Sequence, residues 1–305
     1  MSETNTDNKP RALLLPGGAV MTLDRPRIMG VLNVTPDSFS DGGRYDTEAA
    51  AVARGLAMAA EGADLIDVGG ESSRPGADRV DADEQVRRTA GVVAALRAAL
   101  DDAGHNTVAI SIDTTRAAVA AAALDAGAAV VNDISAGRED PGLLPLAAAR
   151  GAAVVLMHMR GEPATMQRDP SYGDVVAEVA SFLEERLEAA QAAGVPAGAV
   201  LLDPGIGFGK TVEHNLRLLA ALPDLVASAR AAGAAGVMLG ASRKSFLAKL
   251  AGDPAGRVEP DPAGGTAATT AWGVTAGVAV FRVHDVALNA QSAQLARSVK
   301  GIQAR

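Results

Sequence analysis

The chain has 305 residues, enough for one large domain or two ordinary ones, and 48% of them are hydrophobic although only 3% are aromatic. The lack of cysteine excludes disulfides, thiolate metal sites and cysteine nucleophiles, and the net charge of −8 argues against a nucleic-acid or anionic-membrane partner. No run approaches the ~18 apolar residues of a membrane span, and residues 1–10 are polar, so we expect a cytoplasmic protein.

Apolar segments alternate with Ala-rich segments of helical periodicity along the chain, after a polar tail at residues 1–11 that we expect to be disordered. The predicted strands cover residues 21–34, 65–68, 108–112, 130–131, 154–157, 200–202, 237–239 and 278–283. The predicted helices cover residues 47–60, 86–100, 143–150, 175–193, 212–220 and 286–299, with a further Ala-rich helix that ends at Ala126.

Strands that alternate with helices at a spacing of about 30 residues predict βαβ units and a parallel sheet. Eight such units in about 250 residues are typical of a closed (β/α)8 barrel, the TIM-barrel architecture. A doubly wound sheet is the alternative, but it usually has fewer units and an early glycine-rich fingerprint. No linker divides the chain, so we predict a single α/β domain over residues 12–305, with mobile loops at 35–46 and 71–80 after the first two strands.

The first strand runs into a polar stretch, G-V-L-N-V-T-P-D-S-F-S-D-G-G-R at Gly30–Arg44. An apolar run followed by Gly, Pro, Asp and Ser is typical of a buried parallel strand that leads into a loop at the mouth of a barrel. Asn33 lies where the strand ends, and its side-chain oxygen is therefore a candidate ligand for a substrate or a metal ion.

Polar residues stand at nearly every predicted strand end, which in a barrel is the face that carries the active site. These residues are Asn33, Asp67 with Glu71 nearby, Asp113, Asn132, His158 after Met157, Asp203, Ser242, Arg243, Lys244, Arg282 and His284. Asp and Asn are also common caps where a strand turns towards a helix. Caps alone do not account for Lys244, Arg282 and His284 on the same rim.

The two aspartates at strand ends, Asp113 and Asp203, have three possible uses. They could be paired carboxylates for acid–base chemistry or metal ligands. The third use, an edge of hydrogen-bond groups facing a flat heterocycle, agrees better with Asn132 and Lys244 nearby. A carboxylate accepts two parallel N–H bonds from an aminopyrimidine, and Lys244 can donate to a ring carbonyl or nitrogen.

The segment D-P-G-I-G-F-G-K-T at 203–211 is close to a nucleotide-binding P-loop but has Pro204 where that motif needs glycine. Proline has no N–H to offer a phosphate, so we reject an NTPase. The glycines instead predict a close approach of the backbone and Phe208 to a ligand.

Among the remaining polar and aromatic residues, Arg74, Arg282 and His284 are candidates for anion contact, since the last two alternate on one strand and so share a face. The other histidines, His105, His158 and His214, are interpreted as structural. Trp272 is interpreted as core packing.

Taken together, the motifs resemble the dihydropteroate synthase family of pterin-binding barrel enzymes, from about residue 20 to the end of the chain. The matching segments are the stretch at 30–44, D-V-G-G-E-S-S-R-P-G-A at 67–77, S-I-D-T at 111–114, V-N-D-I at 131–134, L-M-H-M at 156–159, L-D-P-G-I-G-F-G-K at 202–210, S-R-K at 242–244 and R-V-H-D-V at 282–286. The two long segments are highly specific, whereas S-I-D-T or S-R-K alone would be weak.

The resemblance implies a role for each matched residue on the pterin side. Asp113, Asn132, Asp203 and Lys244 would hold the pterin ring, and Met157 and Phe208 would line its slot. The resemblance also implies Mg²⁺ as the cofactor, bound by Asn33 together with the diphosphate of the pterin substrate.

On the other side of the site, the resemblance implies that Arg74, Arg282 and His284 contact the diphosphate. Ser73, Pro75 and Ser242 would lie near p-aminobenzoate, and the loops at 35–46 and 71–80 would fold over it. The catalytic set so implied is Asn33, Arg74, Lys244, Arg282 and His284, in a homodimer. The family usually has threonine at the position of Ser73 and phenylalanine at that of Ile206. The resemblance therefore implies inhibitor sensitivity less directly than it implies activity.

The implied reaction condenses 6-hydroxymethyl-7,8-dihydropterin diphosphate with p-aminobenzoate to give 7,8-dihydropteroate and pyrophosphate. A rival within enzymes is a pterin-barrel methyltransferase with a corrinoid partner, which does not need the Asn33 loop or the Arg282 and His284 pair. A rival from another class is a catalytically silent pterin-binding protein, against which Asn33, Lys244 and Arg282 speak.

Overall fold

The parallel strands expected from the sequence close into a barrel, as seen in a computed structural model that describes residues 11–34, 44–71, 79–251 and 261–303. The barrel strands, all parallel, pair in the order β10-β3-β4-β5-β6-β7-β8-β9. Their bounds are β3 Arg27–Asn33, β4 Leu65–Gly69, β5 Ala109–Asp113, β6 Val130–Asp133, β7 Ala153–Met157, β8 Val200–Asp203, β9 Gly236–Leu239 and β10 Val280–Val283. The predicted TIM-barrel fold is confirmed.

Helices follow the strands and surround the barrel. Their bounds are α1 Arg44–Ala60, α2 Ala82–Asp102, α3 Ala117–Asp125, α4 Leu143–Arg150, α5 Val175–Ala192, α6 Val212–Ala220, α7 Leu222–Ala231, α8 Ser245–Ala251, α9 Pro262–Ala276 and α10 Val286–Gln303. Within the described ranges, no helix is both long and apolar enough to span a bilayer. The cytoplasmic location expected from the sequence stays a prediction.

Alternation along the strands divides the apolar residues between two packed layers. On β5, Ala109 packs inside the barrel, whereas Ile110 and Ile112 pack outside against the helices. Inward positions are apolar in the lower half of the barrel, and on several strands they become polar near the carboxyl end, as with Leu65 and then Asp67 on β4. The strand pattern therefore places a dry core beneath a polar upper rim.

A short hairpin, absent from the sequence prediction, precedes the barrel. Its strands β1 (Ala12–Leu14) and β2 (Val20–Thr22) pair antiparallel, and Leu13 and Met21 pack with Leu23 against the inward residues of the lower barrel. The predicted first strand, 21–34, therefore contains the end of this hairpin as well as β3. The hairpin covers the end of the barrel opposite the carboxyl ends of the strands.

Other differences from the predictions are local. Segment 222–231, with Pro223 in its first turn, is a separate helix that the sequence reading did not separate from the loop after α6. Trp272 is 45% exposed, and its indole N–H donates to the Leu219 carbonyl at 2.7 Å, so the core-packing interpretation was wrong. Residues 1–10, 35–43 and 72–78 lie outside the described ranges, so the disordered tail and the mobile loops stay predictions.

Candidate active site

The carboxyl ends of the barrel strands surround a cavity of about 1040 Å³. The predicted site residues that line it are Asn33, Asp113, Asn132, Met157, Asp203, Phe208, Ser242, Lys244, Arg282 and His284. Their convergence follows from strand register, since Asn33 pairs with Gly69, Gly69 with Asp113 and Asp113 with Asn132. The lack of a side chain at Gly69 leaves the space between Asn33 and Asp113 open. Ser73, Arg74 and Pro75 fall within the undescribed residues 72–78, so their roles stay predictions.

One guanidinium joins two carboxylates on the floor of the cavity. Arg282 donates from Nε to Asp67 Oδ2 and from Nη2 to Asp113 Oδ2, both at 2.7 Å. Asn132 donates to the same Asp67 oxygen at 2.9 Å, while the other oxygen of Asp67 has no hydrogen-bond partner among the described residues. The fully buried Asp67 therefore holds two side chains that face the cavity.

Burial shifts the ionisation of this network. Burial raises the pKa of Asp113 to about 7, although the charge of Arg282 acts in the opposite direction. Burial also opposes the charge on Arg282, but Asp67 and Asp113 outweigh it, so the pKa of Arg282 is raised and the guanidinium stays charged. Asp113 can therefore change its charge near neutral pH beside a permanent cation.

A second polar group lies across the cavity, where Lys244 and Asp203 come from adjacent strand ends. Burial lowers the pKa of Lys244 to about 7, and the charge of Asp203 only partly offsets this. Lys244 donates to the Ile206 carbonyl, and its ammonium lies 4.1 Å from the centroid of the Phe208 ring. Asp203 accepts from the Gly205 N–H at 2.7 Å, and burial raises its pKa.

An apolar wall completes the cavity between these polar groups. Phe208 packs with Met157, Met159 and Met166, and Ile134 lies against them. Methionine and phenylalanine offer a polarisable surface that suits the face of a flat ring. The wall lies between the Arg282 network and the group of Lys244 and Asp203. A planar heterocycle needs this combination of an apolar surface for its face and hydrogen-bonding groups for its edges.

The cavity rim at the ends of β9 and β10 carries Ser242 and His284. The Ser242 hydroxyl accepts from the His284 backbone N–H at 3.2 Å and lies 3.0 Å from His284 Nδ1. These contacts fix the imidazole at the cavity edge.

Asp67 and Met166 are among the residues of the site that the sequence analysis missed. Asp67 was recognised as a strand-end residue, but it lies two positions before the end of β4 and below the rim, so no contact was predicted. Met166 belongs to the long segment between β7 and α5, for which no strand or helix pattern gave a position. The signal available for Asp67 was its spacing of two residues from Gly69, which places both on the inward face of the strand.

The described residues contain no group of three or more His, Asp or Glu side chains that could hold a metal ion by themselves. The paired-carboxylate and metal-ligand alternatives for Asp113 and Asp203 receive no support from the geometry, because Asp113 pairs with Arg282 and Asp203 accepts from the Gly205 N–H. The cavity is therefore an array of donors and acceptors around a flat apolar slot.

Known proteins with this arrangement are similar over almost the whole chain. The family model described as pterin binding enzyme matches residues 29–284. The dihydropteroate synthase of Mycobacterium leprae is 48% identical over 277 residues, which cover 87% of this chain and 90% of that protein.

Solved structures agree with the sequence comparison. Dihydropteroate synthase from Xanthomonas albilineans with 4-aminobenzoic acid has a TM-score of 0.83 at 43% identity, covering 96% of this chain and 99% of that one. The same enzyme in complex with 7,8-dihydropteroate has a TM-score of 0.78 at 40% identity, covering 95% and 98%. With this likeness in sequence, fold and coverage, the chain belongs to the dihydropteroate synthases within the pterin-binding enzyme family.

Proposed function

We propose that this chain condenses 6-hydroxymethyl-7,8-dihydropterin diphosphate with p-aminobenzoate to form 7,8-dihydropteroate and pyrophosphate. The observation that carries the proposal is the cavity in which Asp113, Asn132, Asp203 and Lys244 stand around an apolar wall, with Arg282 beside them. The related enzyme from Xanthomonas albilineans has been solved with 4-aminobenzoic acid and with 7,8-dihydropteroate.

Recognition of the pterin follows from the donors and acceptors of the cavity. The carboxylate of Asp203 can accept the two parallel N–H groups of an aminopyrimidine, and Asn132 offers both a donor and an acceptor. Lys244, held by the Ile206 carbonyl, has further N–H groups that can donate to the pterin carbonyl. Phe208 and Met157 then cover one face of the ring.

The diphosphate needs positive charge at the rim. Arg282 donates two of the five N–H groups of its guanidinium to Asp67 and Asp113, and these bonds hold it in place. Its remaining N–H groups can donate to an anion. His284, fixed by Ser242, stands on the same strand end. As the bond to diphosphate breaks, these groups stabilise the departing charge where it develops.

No strong base is required for the second half of the reaction. An electron-rich pterin stabilises the CH₂ cation left by the diphosphate, and the neutral arylamine attacks that carbon with its own lone pair. The proton released from nitrogen can pass to water or to the departing pyrophosphate. The lack of a cysteine nucleophile is therefore no obstacle.

Mg²⁺ is proposed as the cofactor, with Asn33 as the protein ligand. Mg²⁺ usually keeps several waters and takes only one or two protein ligands besides substrate phosphates. Asn33, which lines the cavity at the end of β3, fits such a site, as does the lack of an acidic cluster in the described ranges. When bound, the ion would supply positive charge to the diphosphate oxygens.

Calorimetry tests this metal assignment. Mg²⁺ should bind measurably only when pyrophosphate is also present, and Asn33→Ala should weaken that binding. Tight Mg²⁺ binding without pyrophosphate, or an unchanged affinity in Asn33→Ala, would contradict it.

A homodimer is also proposed, and the support comes from α10. Leu295, Val299 and Ile302 are 69%, 51% and 75% exposed, and their spacing places them on one stripe of this helix. Light scattering should give a dimer for the wild-type chain and a monomer for Ile302→Glu. A monomeric wild-type chain at micromolar concentration would exclude this assembly.

Product analysis tests the proposed reaction against its rivals. Chromatography with mass detection should show 7,8-dihydropteroate only when the pterin diphosphate and p-aminobenzoate are both supplied. Pterin retention without product would indicate a silent binding protein, and methyl transfer from a methylated folate to a corrinoid would indicate the methyltransferase. Either result would overturn the proposal.

A further inference from the structure

The buried lysine at the end of the loop after β8, Lys210, has no role in the reaction derived above. Its side chain is only 3% exposed, although it lies beside the cavity. Its Nζ lies 2.8 Å from His158 Nδ1, 2.9 Å from the Gly205 carbonyl and 3.0 Å from the Phe208 carbonyl. A longer contact, 3.4 Å, joins Nζ to the His158 carbonyl, so among the described residues its partners are three backbone carbonyls and a ring nitrogen.

The three nearest acceptors, at 2.8 to 3.0 Å, match the three N–H groups of a lysine ammonium. For His158 Nδ1 to accept, the imidazole must be neutral and carry its proton on Nε2. Burial, and then the charge of Lys210, lower the pKa of His158 to about 3, which keeps the ring neutral. Burial, and then the charge of Lys244, lower the pKa of Lys210, whereas the charge of Asp203 and the hydrogen-bond acceptors favour its charged form.

Every backbone carbonyl of the loop from Gly205 to Gly209 accepts a hydrogen bond from a side chain. Lys210 donates to the carbonyls of Gly205 and Phe208, and the other three accept from three different donors. The remaining pairs are Lys244 with Ile206, Gln167 with Gly207 and Tyr172 with Gly209. Because glycine-rich backbone has no preferred conformation of its own, these bonds determine where the loop lies.

The position of this loop matters for two cavity groups. Phe208 forms the apolar wall, and the Ile206 carbonyl holds Lys244. Lys210 ties the carbonyls of Gly205 and Phe208 to His158, which directly follows β7. A shift of the loop would therefore move the wall and the lysine together.

We propose that Lys210 is a positioning residue for the pterin site, an internal cation that joins the loop after β8 to His158 and so sets the places of Phe208 and Lys244. The inference rests on the proposed function for the identity of its substrate. It does not depend on that function for the Lys210 to His158 bond itself.

The lack of cysteine in the chain allows a matched test. Lys210→Cys can be alkylated in the unfolded state with 2-bromoethylamine, which rebuilds a lysine-like amine, or with 1-bromopropane, which gives the same length without N–H groups. The refolded aminoethyl protein should recover the wild-type KM for the pterin substrate. The propyl protein should show a KM raised about tenfold, the usual effect of losing a buried charged hydrogen bond, with KM for p-aminobenzoate at saturating pterin unchanged.

A matched control variant is Lys300→Met, because Lys300 also donates to two backbone carbonyls, those of Val274 and Thr275, away from the cavity. It should leave the KM for pterin unchanged. Equal KM values for the aminoethyl and propyl proteins would overturn the proposal.

A measurement on the wild-type chain decides the matter even if the alkylated proteins do not refold. With only four histidines, ¹⁵N-histidine spectra can be assigned, using His158→Phe to identify the ring. His158 should carry its proton on Nε2 at neutral pH, and a proton on Nδ1 would overturn the proposal. Because this spectrum needs neither substrate, a failure of the proposed function leaves the test of Lys210 intact.

Discussion

At the scale of single residues, the site is organised around a guanidinium shared by two carboxylates. Arg282 contacts Asp67 below and Asp113 at the rim, so groups assigned to diphosphate and to pterin are directly paired. A charged pair in a low-dielectric site is far more sensitive to the loss of one partner than a surface pair is. Changes at Asp67 should therefore reach the cavity although Asp67 does not line it.

Asp67→Asn tests this arrangement. The substitution keeps the shape of the side chain but removes the charge that accepts from Arg282 and Asn132, so we expect a loss of about 1–3 kcal/mol in unfolding free energy. Turnover should fall at least about tenfold, since Arg282 loses one of its two anchors. Chemical denaturation and steady-state kinetics measure the two effects.

Asp101→Asn is the matched control. Asp101 is also paired with an arginine, Arg97, but its side chain is 53% exposed, so its loss should change the unfolding free energy by less than about 1 kcal/mol. Similar losses in the two variants would mean that the Arg282 network is no stronger than a surface pair.

The raised pKa of Asp113 predicts a pH dependence of stability. Burial raises this pKa from 3.8 to about 7, so the folded state binds the proton over a range where the unfolded state has lost it. The contribution of Asp113 to stability is complete below about pH 4 and is lost as pH rises to about 7. Relative to Asp113→Asn, the wild-type chain should become less stable across that window, by a few kcal/mol, and show no further change above it. A difference that stays flat or grows with pH would show that Asp113 is ionised throughout.

The residues at strand ends could be predicted because the alternation along a strand, and the succession of strands and helices, can be recognised in short stretches of sequence. Asn33, Asp113, Asn132, Asp203, Lys244 and Arg282 were expected on one rim and do line one cavity. The contacts among them could not be predicted, because they join residues far apart in the chain. Lys210 illustrates this: its buried position depends on His158 and on the path of a glycine loop.

At the scale of elements, the loop after β8 shows how close packing fixes a segment of little intrinsic preference. Gly205 has a positive φ of 66°, and a Cβ there would lie 1.8 Å from the His158 carbonyl oxygen. Both the left-handed backbone and the lack of space require glycine. The sequence motif predicted that a ligand would closely approach these glycines. In the structure, the close neighbour of Gly205 is His158, at the end of the adjacent strand β7.

Gly205→Ala and Gly17→Ala separate the two requirements. Gly17 has a φ of 68° but nothing within 4 Å of its Cβ position, so alanine there should lose only about 1–2 kcal/mol through backbone strain. Gly205→Ala should lose about 1–3 kcal/mol more because the loop must move. It should also raise the KM for pterin. Thermal unfolding and kinetics of both variants measure this, and equal losses would refute the steric argument.

The N-terminal hairpin shows the limit of periodicity for short elements. Its strands have three residues each, too few for an alternation pattern to stand out from the neighbouring apolar run. Only the barrel explains why Leu13 is fully buried, since its partners are inward residues from several strands. The long helices α1, α2, α5 and α10 were predicted well because their apolar stripes extend over several turns, whereas no bounds were predicted for α9.

At the scale of the whole molecule, stability and chemistry occupy opposite ends of the barrel. The hairpin and the apolar inward residues fill the lower end, and the helices pack around the outside. The polar side chains gather at the carboxyl ends, where β3, β5, β6, β8 and β10 each contribute one to a single cavity. This division lets the buried network at the rim carry charges that would be destabilising in the core.

The central claim is that strand-end carboxylates recognise the pterin heterocycle, and one calorimetric measurement tests it most directly. 6-Hydroxymethyl-7,8-dihydropterin, which lacks the diphosphate, is titrated into the wild-type chain, Asp113→Asn and Asp203→Asn, with the exposed Asp224→Asn as the control. Because a buried mismatch of donors and acceptors costs about 1–3 kcal/mol, Asp203→Asn should weaken binding by about one to two decades. The control should bind as the wild-type chain does. Unchanged affinity in both Asp113→Asn and Asp203→Asn would contradict the assignment of this cavity to the pterin.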